Sequence, residues 1–300
     1  MVMNANEIDV SSLRSKIGVE RAFDDVLTLR LAQAFQATFD QDPEAVRDGG
    51  VAPAGVFWCL NSPFRIQTRH LLADGTDDDG GSAVPALPRR MRAGGGLRFH
   101  RPLTVGAAVT RRDRIVSVEL KQGRSGPLCF LTVRRDYHCN GALAIEERID
   151  SVYRAPAGDP VKTDAARPSA APLTGQAEPF DVGPALLIRY SALTFNSHRI
   201  HWDERYAVGQ EGYPGLVVHG PLQATLLLRR AAVEAAATQC RFEFFEYRLM
   251  KPMILGDATQ LVTQRGDDRF DLCLTGKDGE PSMSATASMH EKLPNGRQRK

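Results

Sequence analysis

Histidine, asparagine and arginine crowd one short stretch of this 300-residue chain, Ser191-Ala192-Leu193-Thr194-Phe195-Asn196-Ser197-His198-Arg199-Ile200-His201-Trp202-Asp203. His219 follows in Gly215-Leu216-Val217-Val218-His219-Gly220-Pro221, so three of the seven histidines fall between positions 198 and 219. A neutral imidazole near pH 7 takes a proton, which makes His201 a candidate general base. Asn196 does not titrate, but it can accept a hydrogen bond from a water and orient it. Gly220-Pro221 opens an apolar run, with Pro suited to a first helical turn. The Gly220 amide would then stand at a helix N-terminus, where N–H groups and the helix dipole favour a carbonyl oxygen or oxyanion. Glycine there also permits close backbone approach.

Each residue also has a structural role open to it. Asn196 and Thr194 suit caps of a turn or helix, and Asp203 before Glu204-Arg205-Tyr206-Ala207 reads as a helix N-cap. His201 suits a satisfied core histidine, and Arg199 a solvated face. His198-x-x-His201 with Asp203 is too loosely spaced for a metal site and has no further Cys or Glu partner, so no metal is expected.

The elements that must hold this cluster are legible around it. Residues 221–239 are apolar almost all round, from Leu222 to Ala236, which predicts a buried helix. Residues 25–40 carry a wide helical stripe through Val26, Leu29, Ala32 and Phe35. Segments 108–118, 128–138, 143–153, 242–250, 258–264 and 270–274 read as strands. Leu97-Arg98-Phe99-His100-Arg101-Pro102-Leu103-Thr104-Val105-Gly106 matches Tyr247-Arg248-Leu249-Met250-Lys251-Pro252-Met253-Ile254-Leu255-Gly256 at an offset of 150, half the chain. Such a repeat implies two copies of one unit, each a buried helix followed by strands. The same offset takes His219 to Arg69, beside His70, and Asn196 to Val46, so only the second copy is expected to keep the full equipment. The expected division is 1–155, a Pro/Ala-rich linker at 156–178, and 179–300. Ala73 to Pro88 and Ala155 to Pro179 have too few apolar residues to build a core and are expected to be mobile.

Bulk composition narrows the function classes. Three hundred residues suit two domains, and 42% hydrophobic with 25% charged residues is ordinary for a globular protein. A net charge of +2 provides no global field for nucleic acid. The five cysteines are scattered and form no C-x-x-C, which favours a reducing, cytoplasmic setting. Residues 1–10 do not read as a secretory signal, and no run of about 20 apolar residues predicts a membrane span.

Taken together, Thr194-x-Asn196-x-His198-Arg199-Ile200-His201-x-Asp203, followed by Gly215 to Gly220 at a helix start, resembles the MaoC-like (R)-specific enoyl-CoA hydratases. Their pattern is Asp-x-Asn-x-x-His, with His-Gly opening the central hotdog helix. Aligning the last His on His201 puts the family's Asp on Asn196 and its Asn on His198, a departure from the usual Asp/His dyad. The variant is more similar to the mesaconyl-CoA and itaconyl-CoA hydratases and related hydroxyacyl-thioester dehydratases. So are Pro88-Arg89-Arg90-Met91, Ala93-Gly94-Gly95, the Phe99-to-Gly106 run and Gly123 to Leu128 of the first half. The resemblance implies an α+β double hotdog, two antiparallel sheets each wrapped on a helix, with a degenerate first copy and a catalytic second copy.

The same resemblance implies hydration of a small unsaturated acyl-CoA, itaconyl-CoA or mesaconyl-C4-CoA, to citramalyl-CoA. Dehydration of medium-chain 3-hydroxyacyl thioesters is the runner-up. A thioesterase on this scaffold would want a carboxylate where Asn196 stands; a non-catalytic thioester-binding module is the alternative of a different class. His201 would be the base, Asn196 would orient the water and the Gly220 amide would bind the thioester oxygen. His198, Arg199 and His219 would bind substrate, with Arg199 or His198 taking a free carboxylate. No cofactor is expected, coenzyme A being part of the substrate. The expected partners are the acyl-CoA and, for self-association, a second copy in a homodimer.

Overall fold

The computed structural model describes residues 8–290 apart from 61–64, 78–83, 124–125, 156–172, 239–240 and 258. The first half contains α1 (Ser11–Arg14), β1 (Glu20–Val26), α2 (Leu29–Thr38), β2 (Arg89–Phe99), β3 (Ala108–Gly123), β4 (Gly126–Cys139) and β5 (Ala142–Arg154). The second contains β6 (Gln176–Phe180), α3 (Pro184–Thr194), α4 (Glu204–Gly209), α5 (Gly220–Ala237), β7 (Arg241–Leu249), β8 (Thr259–Arg265), β9 (Arg269–Thr275) and β10 (Pro281–His290). All strands join one antiparallel sheet in the order β1-β3-β4-β5-β2-β7-β10-β9-β8-β6. The fold is the double hotdog, but its two sheets are continuous through the β2–β7 pair rather than separate, because each copy leaves one strand edge that only the other copy's edge can satisfy.

The duplication is visible in the hydrogen bonds. Gly96 pairs with Glu246, its own counterpart at the 150-residue offset, so a local dyad passes between them. Thr104 bridges Val51 as Ile254 bridges Val217. The His100 and Arg101 amides both donate to the Ala144 carbonyl, as those of Met250 and Lys251 do to Ser282. Gly106 and Gly256 turn with φ of 87° and 83°, a region costly for other residues.

Those bridges correct the equivalence of the helices. Val217 corresponds to Val51, so His219 and Gly220 correspond to Pro53 and Ala54 and not to Arg69 and His70. The counterpart of α5 is only a 3₁₀ turn, Val56–Cys59, while α2 corresponds to α3, each following the first strand of its copy. The stripe predicted as a helix from Asp25 begins at Leu29, because Asp25 and Val26 pair with Val109 and Ala108 in the sheet and the Thr28 side chain then caps the helix by accepting the Leu31 N–H.

α5 lies across the second half of the sheet and packs on β7, β9 and β10. Leu222, Leu227 and Leu228 are fully buried in a core shared with Phe35, Phe57, Tyr190 and Phe245, each leucine contributing roughly 2 kcal/mol of burial. β6 begins at Gln176, inside the segment expected as linker. Residues 156–172 and 78–83, on which much of the expected mobility fell, lie outside the described residues. No helix among the described residues is long and apolar enough to cross a membrane.

Candidate active site

Three short elements converge on the N-terminus of α5. α3 supplies Tyr190 and Ser191, then ends because Phe195 adopts a left-handed conformation, φ 52°. The chain reverses there, and the Asn196 N–H returns to the Ser191 carbonyl at 2.8 Å. Asn196 Oδ1 accepts the His198 N–H at 2.9 Å, closing a tight turn. A 3₁₀ turn, Arg199–His201, follows, and Asp203 caps α4 by accepting the Tyr206 N–H. The capping roles of Asn196 and Asp203 read from the sequence are therefore both present; Thr194 instead donates back to the Tyr190 carbonyl.

His201 is buried, and its Nδ1 donates to the Val217 carbonyl at 2.7 Å. That bond fixes the tautomer and leaves Nε2 as the basic atom. Burial lowers its pKa to about 3, so the ring is neutral across the physiological range. Its face stacks on His219, with ring centroids 3.6 Å apart and planes 24° from parallel. His219 is fully buried; its Nε2 meets Ser191 Oγ at 2.8 Å, and its Nδ1 has no hydrogen-bond partner among the described residues. Burial, and then its two histidine neighbours, hold it well below the ordinary imidazole range. Tyr190 packs edge-on against His219 at 5.3 Å and its hydroxyl meets Thr225 Oγ1 at 3.1 Å.

Gly220 starts α5, with His219 at the N-cap and Pro221 just inside. Pro221 has no N–H, so the amides of Gly220 and Leu222 are the first-turn donors without an intrahelical carbonyl. A side chain on Gly220 would come within 2.9 Å of Leu249 Cδ2, which shows how closely β7 approaches there. His198 stands edge-on to His201 at 5.4 Å, with Nε2 3.8 Å from Asp74; burial lowers its pKa against the pull of that carboxylate. Arg199 is committed: Nε and Nη2 both bond Asp203, Nη1 donates to the Ala73 carbonyl, and the guanidinium lies 4.1 Å from the Tyr206 ring centre.

The six residues nominated from sequence thus gather at one place. Sequence reasoning missed the segment that covers them. Ala73 to Gly75, expected to be mobile, is docked on the cluster: the Arg199 N–H donates to the Asp74 carbonyl at 2.8 Å and Ser197 Oγ to the Gly75 carbonyl at 2.6 Å. No local pattern at 73–75 signals this, since the partners lie more than 120 residues away. Ser191 and Tyr190 were also missed as supports of His219. A cleft of about 540 Å³ over Gly94 and Gly95 is lined by Glu119, Asp150 and Glu246 and by none of the histidines. Among the described residues no group of three His, Cys, Asp or Glu side chains is placed to hold a metal ion.

Comparison with known proteins gives the family and the fold. The family model for hydroxyacyl-thioester dehydratase type 2 matches residues 56–255. The chain is 39% identical over 276 residues to mesaconyl-C(4)-CoA hydratase of Chloroflexus aurantiacus, spanning 91% of this chain and 96% of that one. Among solved structures, a MaoC-like dehydratase from Phytophthora capsici superposes with a TM-score of 0.66 at 15% identity, over 95% of this chain and all of that one. A Mycobacterium tuberculosis protein described as a double hotdog fold superposes with a TM-score of 0.55 at 17% identity, over 92% and 97% of the two chains.

Proposed function

The chain belongs to the hydroxyacyl-thioester dehydratase type 2 family, and from that premise we propose that it reversibly hydrates a small dicarboxylyl enoyl-CoA, mesaconyl-C4-CoA or itaconyl-CoA, to citramalyl-CoA. The observation that carries the chemistry is the tautomer of His201: with Nδ1 bound to the Val217 carbonyl, Nε2 is a neutral base beside the amide donors of α5. The substrate reading rests on the 39% identity to the Chloroflexus hydratase over nearly the full length of both chains.

On mesaconyl-C4-CoA the step balances with one proton. His201 Nε2 takes a proton from water as its oxygen bonds to Cβ. The π electrons move to Cα and the thioester oxygen, where the Gly220 N–H and the helix dipole stabilise the enolate charge. The imidazolium then returns the proton to Cα, and the base is regenerated. An imidazolium is costly in so buried a place, so the transfer to Cα follows closely on the attack. Asn196 Oδ1 already holds the His198 amide, which leaves the Asn196 Nδ2 donors and a second oxygen lone pair for the water.

A panel of mesaconyl-C4-CoA, itaconyl-CoA, crotonyl-CoA and 3-hydroxyacyl-CoA of medium chain length tests the proposal by mass. The expected product is heavier than mesaconyl-C4-CoA by one water, with no free thiol released. Thiol release would mean hydrolysis, and preference for the medium-chain thioester would transfer the activity to fatty-acyl dehydration.

A further inference from the structure

The first half contains a charged cluster where the second half is apolar. Glu147 on β5 has a completely buried side chain, and the register of the two copies places Ala285 at the corresponding position of β10. Its oxygens are satisfied by neutral donors, Trp58 Nε1 at 2.8 Å and the Tyr137 hydroxyl at 3.0 Å. Two guanidiniums approach it only at the edge of ion-pair range, Arg92 at 3.9 Å and Arg135 at 4.0 Å. Arg92 makes its hydrogen bond elsewhere, from Nη1 to the Tyr247 hydroxyl at 2.9 Å. A guanidinium whose one hydrogen bond among the described residues goes to a neutral phenol, with its carboxylate neighbour no nearer than 3.9 Å, retains free donors, an arrangement suited to an incoming anion.

Tyr247 ties this cation to β7, the strand that borders the site. Tyr247 and Leu249 lie two residues apart on β7, hence on one face and about 7 Å apart along the strand, and Leu249 is the residue that abuts Gly220. The thioester oxygen and the distal carboxylate oxygen of a four-carbon backbone lie about 6 Å apart, from carbon–carbon bonds of ~1.5 Å. A thioester held at Gly220 therefore spans about the step from Leu249 to Tyr247, the residue that bonds Arg92. The contact path is continuous: Trp58 packs edge-on against Tyr247, Gly55 abuts Thr225, and Thr225 bonds Tyr190, which packs on His219. Burial chiefly raises the Tyr190 phenol, and the charge of Arg92 pulls the other way, so Arg92 acts within electrostatic reach of the site. The cations nearer in sequence are poorer receivers, Arg199 being bonded to Asp203 and His198 held toward neutrality.

We propose that Arg92, presented by Tyr247 and held beside Glu147, binds the free carboxylate of the substrate and sets the preference for dicarboxylyl over plain enoyl thioesters. The proposal deepens the hydratase reading above and rests on it. The first copy then contributes the specificity of a reaction whose base lies in the second.

The test compares kcat/KM for mesaconyl-C4-CoA and crotonyl-CoA, which both carry a Cβ methyl and differ there only by a carboxylate in place of hydrogen, in wild type, Arg92→Leu and Arg92→Lys. The expected result is a fall in the mesaconyl/crotonyl preference of roughly 10- to 100-fold in Arg92→Leu, the loss of one or two charge-assisted hydrogen bonds, with Arg92→Lys between it and wild type. Should Arg92→Leu not fold, Arg92→Lys and the competitive inhibition of wild type by succinyl-CoA against butyryl-CoA decide: the carboxylate should strengthen inhibition in wild type and do so less in Arg92→Lys. A preference that survives in both folded variants, or an equal loss on both substrates, overturns the role of Arg92 alone. A wild type that hydrates crotonyl-CoA and not mesaconyl-C4-CoA, or neither, overturns the substrate reading and this proposal with it.

Discussion

His201→Gln tests the neutral, buried base through stability as well as rate. The folded-state pKa of His201 is about 3 against an ordinary 6.5, so between these values the unfolded chain binds a proton that the folded chain refuses. A depressed histidine pKa therefore stabilises the fold at neutral pH, and that stability is lost as pH falls below 6.5, at up to about 1.4 kcal/mol per pH unit. Integrated from pH 7.5 to 4.5, the loss due to this one ring is about 2.6 kcal/mol. His201→Gln removes the ring and with it this share of the slope, while His219, also kept neutral by burial, retains its own. Urea unfolding of both proteins at pH 7.5 and 4.5 measures it: the variant should be the less stable at pH 7.5, and its deficit should shrink by about 2.6 kcal/mol at pH 4.5. A deficit unchanged between the two pH values would refute a buried neutral His201. The kinetic counterpart is a kcat/KM for wild type without an acidic limb near 6.5, since the base of the free enzyme stays deprotonated well below it.

His201→Ala should lower hydration by roughly 10²–10⁴ while circular dichroism shows the fold retained at pH 7.5; near-normal turnover with only a lowered melting temperature would make His201 a core residue. Asn196→Asp keeps the oxygen that accepts the His198 N–H, restores the carboxylate of the wider family pattern and should raise the pKa of His201. The acidic limb of its kcat/KM profile should move to higher pH than in wild type, and an unchanged profile with an unchanged rate would separate Asn196 from the base.

The sequence alone determined the candidate residues of the second copy, the repeat and the local turns. These depend on short-range rules: Pro102 and Pro252 before Gly106 and Gly256 mark the same turn, an apolar run behind Gly220-Pro221 gives a buried helix, and Asp203 three residues before Tyr206 caps one. Tertiary structure decided what depends on distant partners. The stripe at 25–40 could not reveal that β3 would claim Asp25 and Val26, because period alone does not weigh a sheet partner more than 80 residues away. The constant offset of 150 failed at His219, because the copies differ in length between the helix and β2, and only the bridges at Val51 and Val217 locate the true counterpart. Nor could composition show that Ala73 to Gly75 closes over His198 and Arg199, or that Arg92 and Tyr247, 155 residues apart, bond across the seam of the two copies. The residues proposed for the chemistry were legible in the second copy by local pattern, whereas the β2–β7 junction that joins Arg92 to Tyr247 exists only in the folded chain.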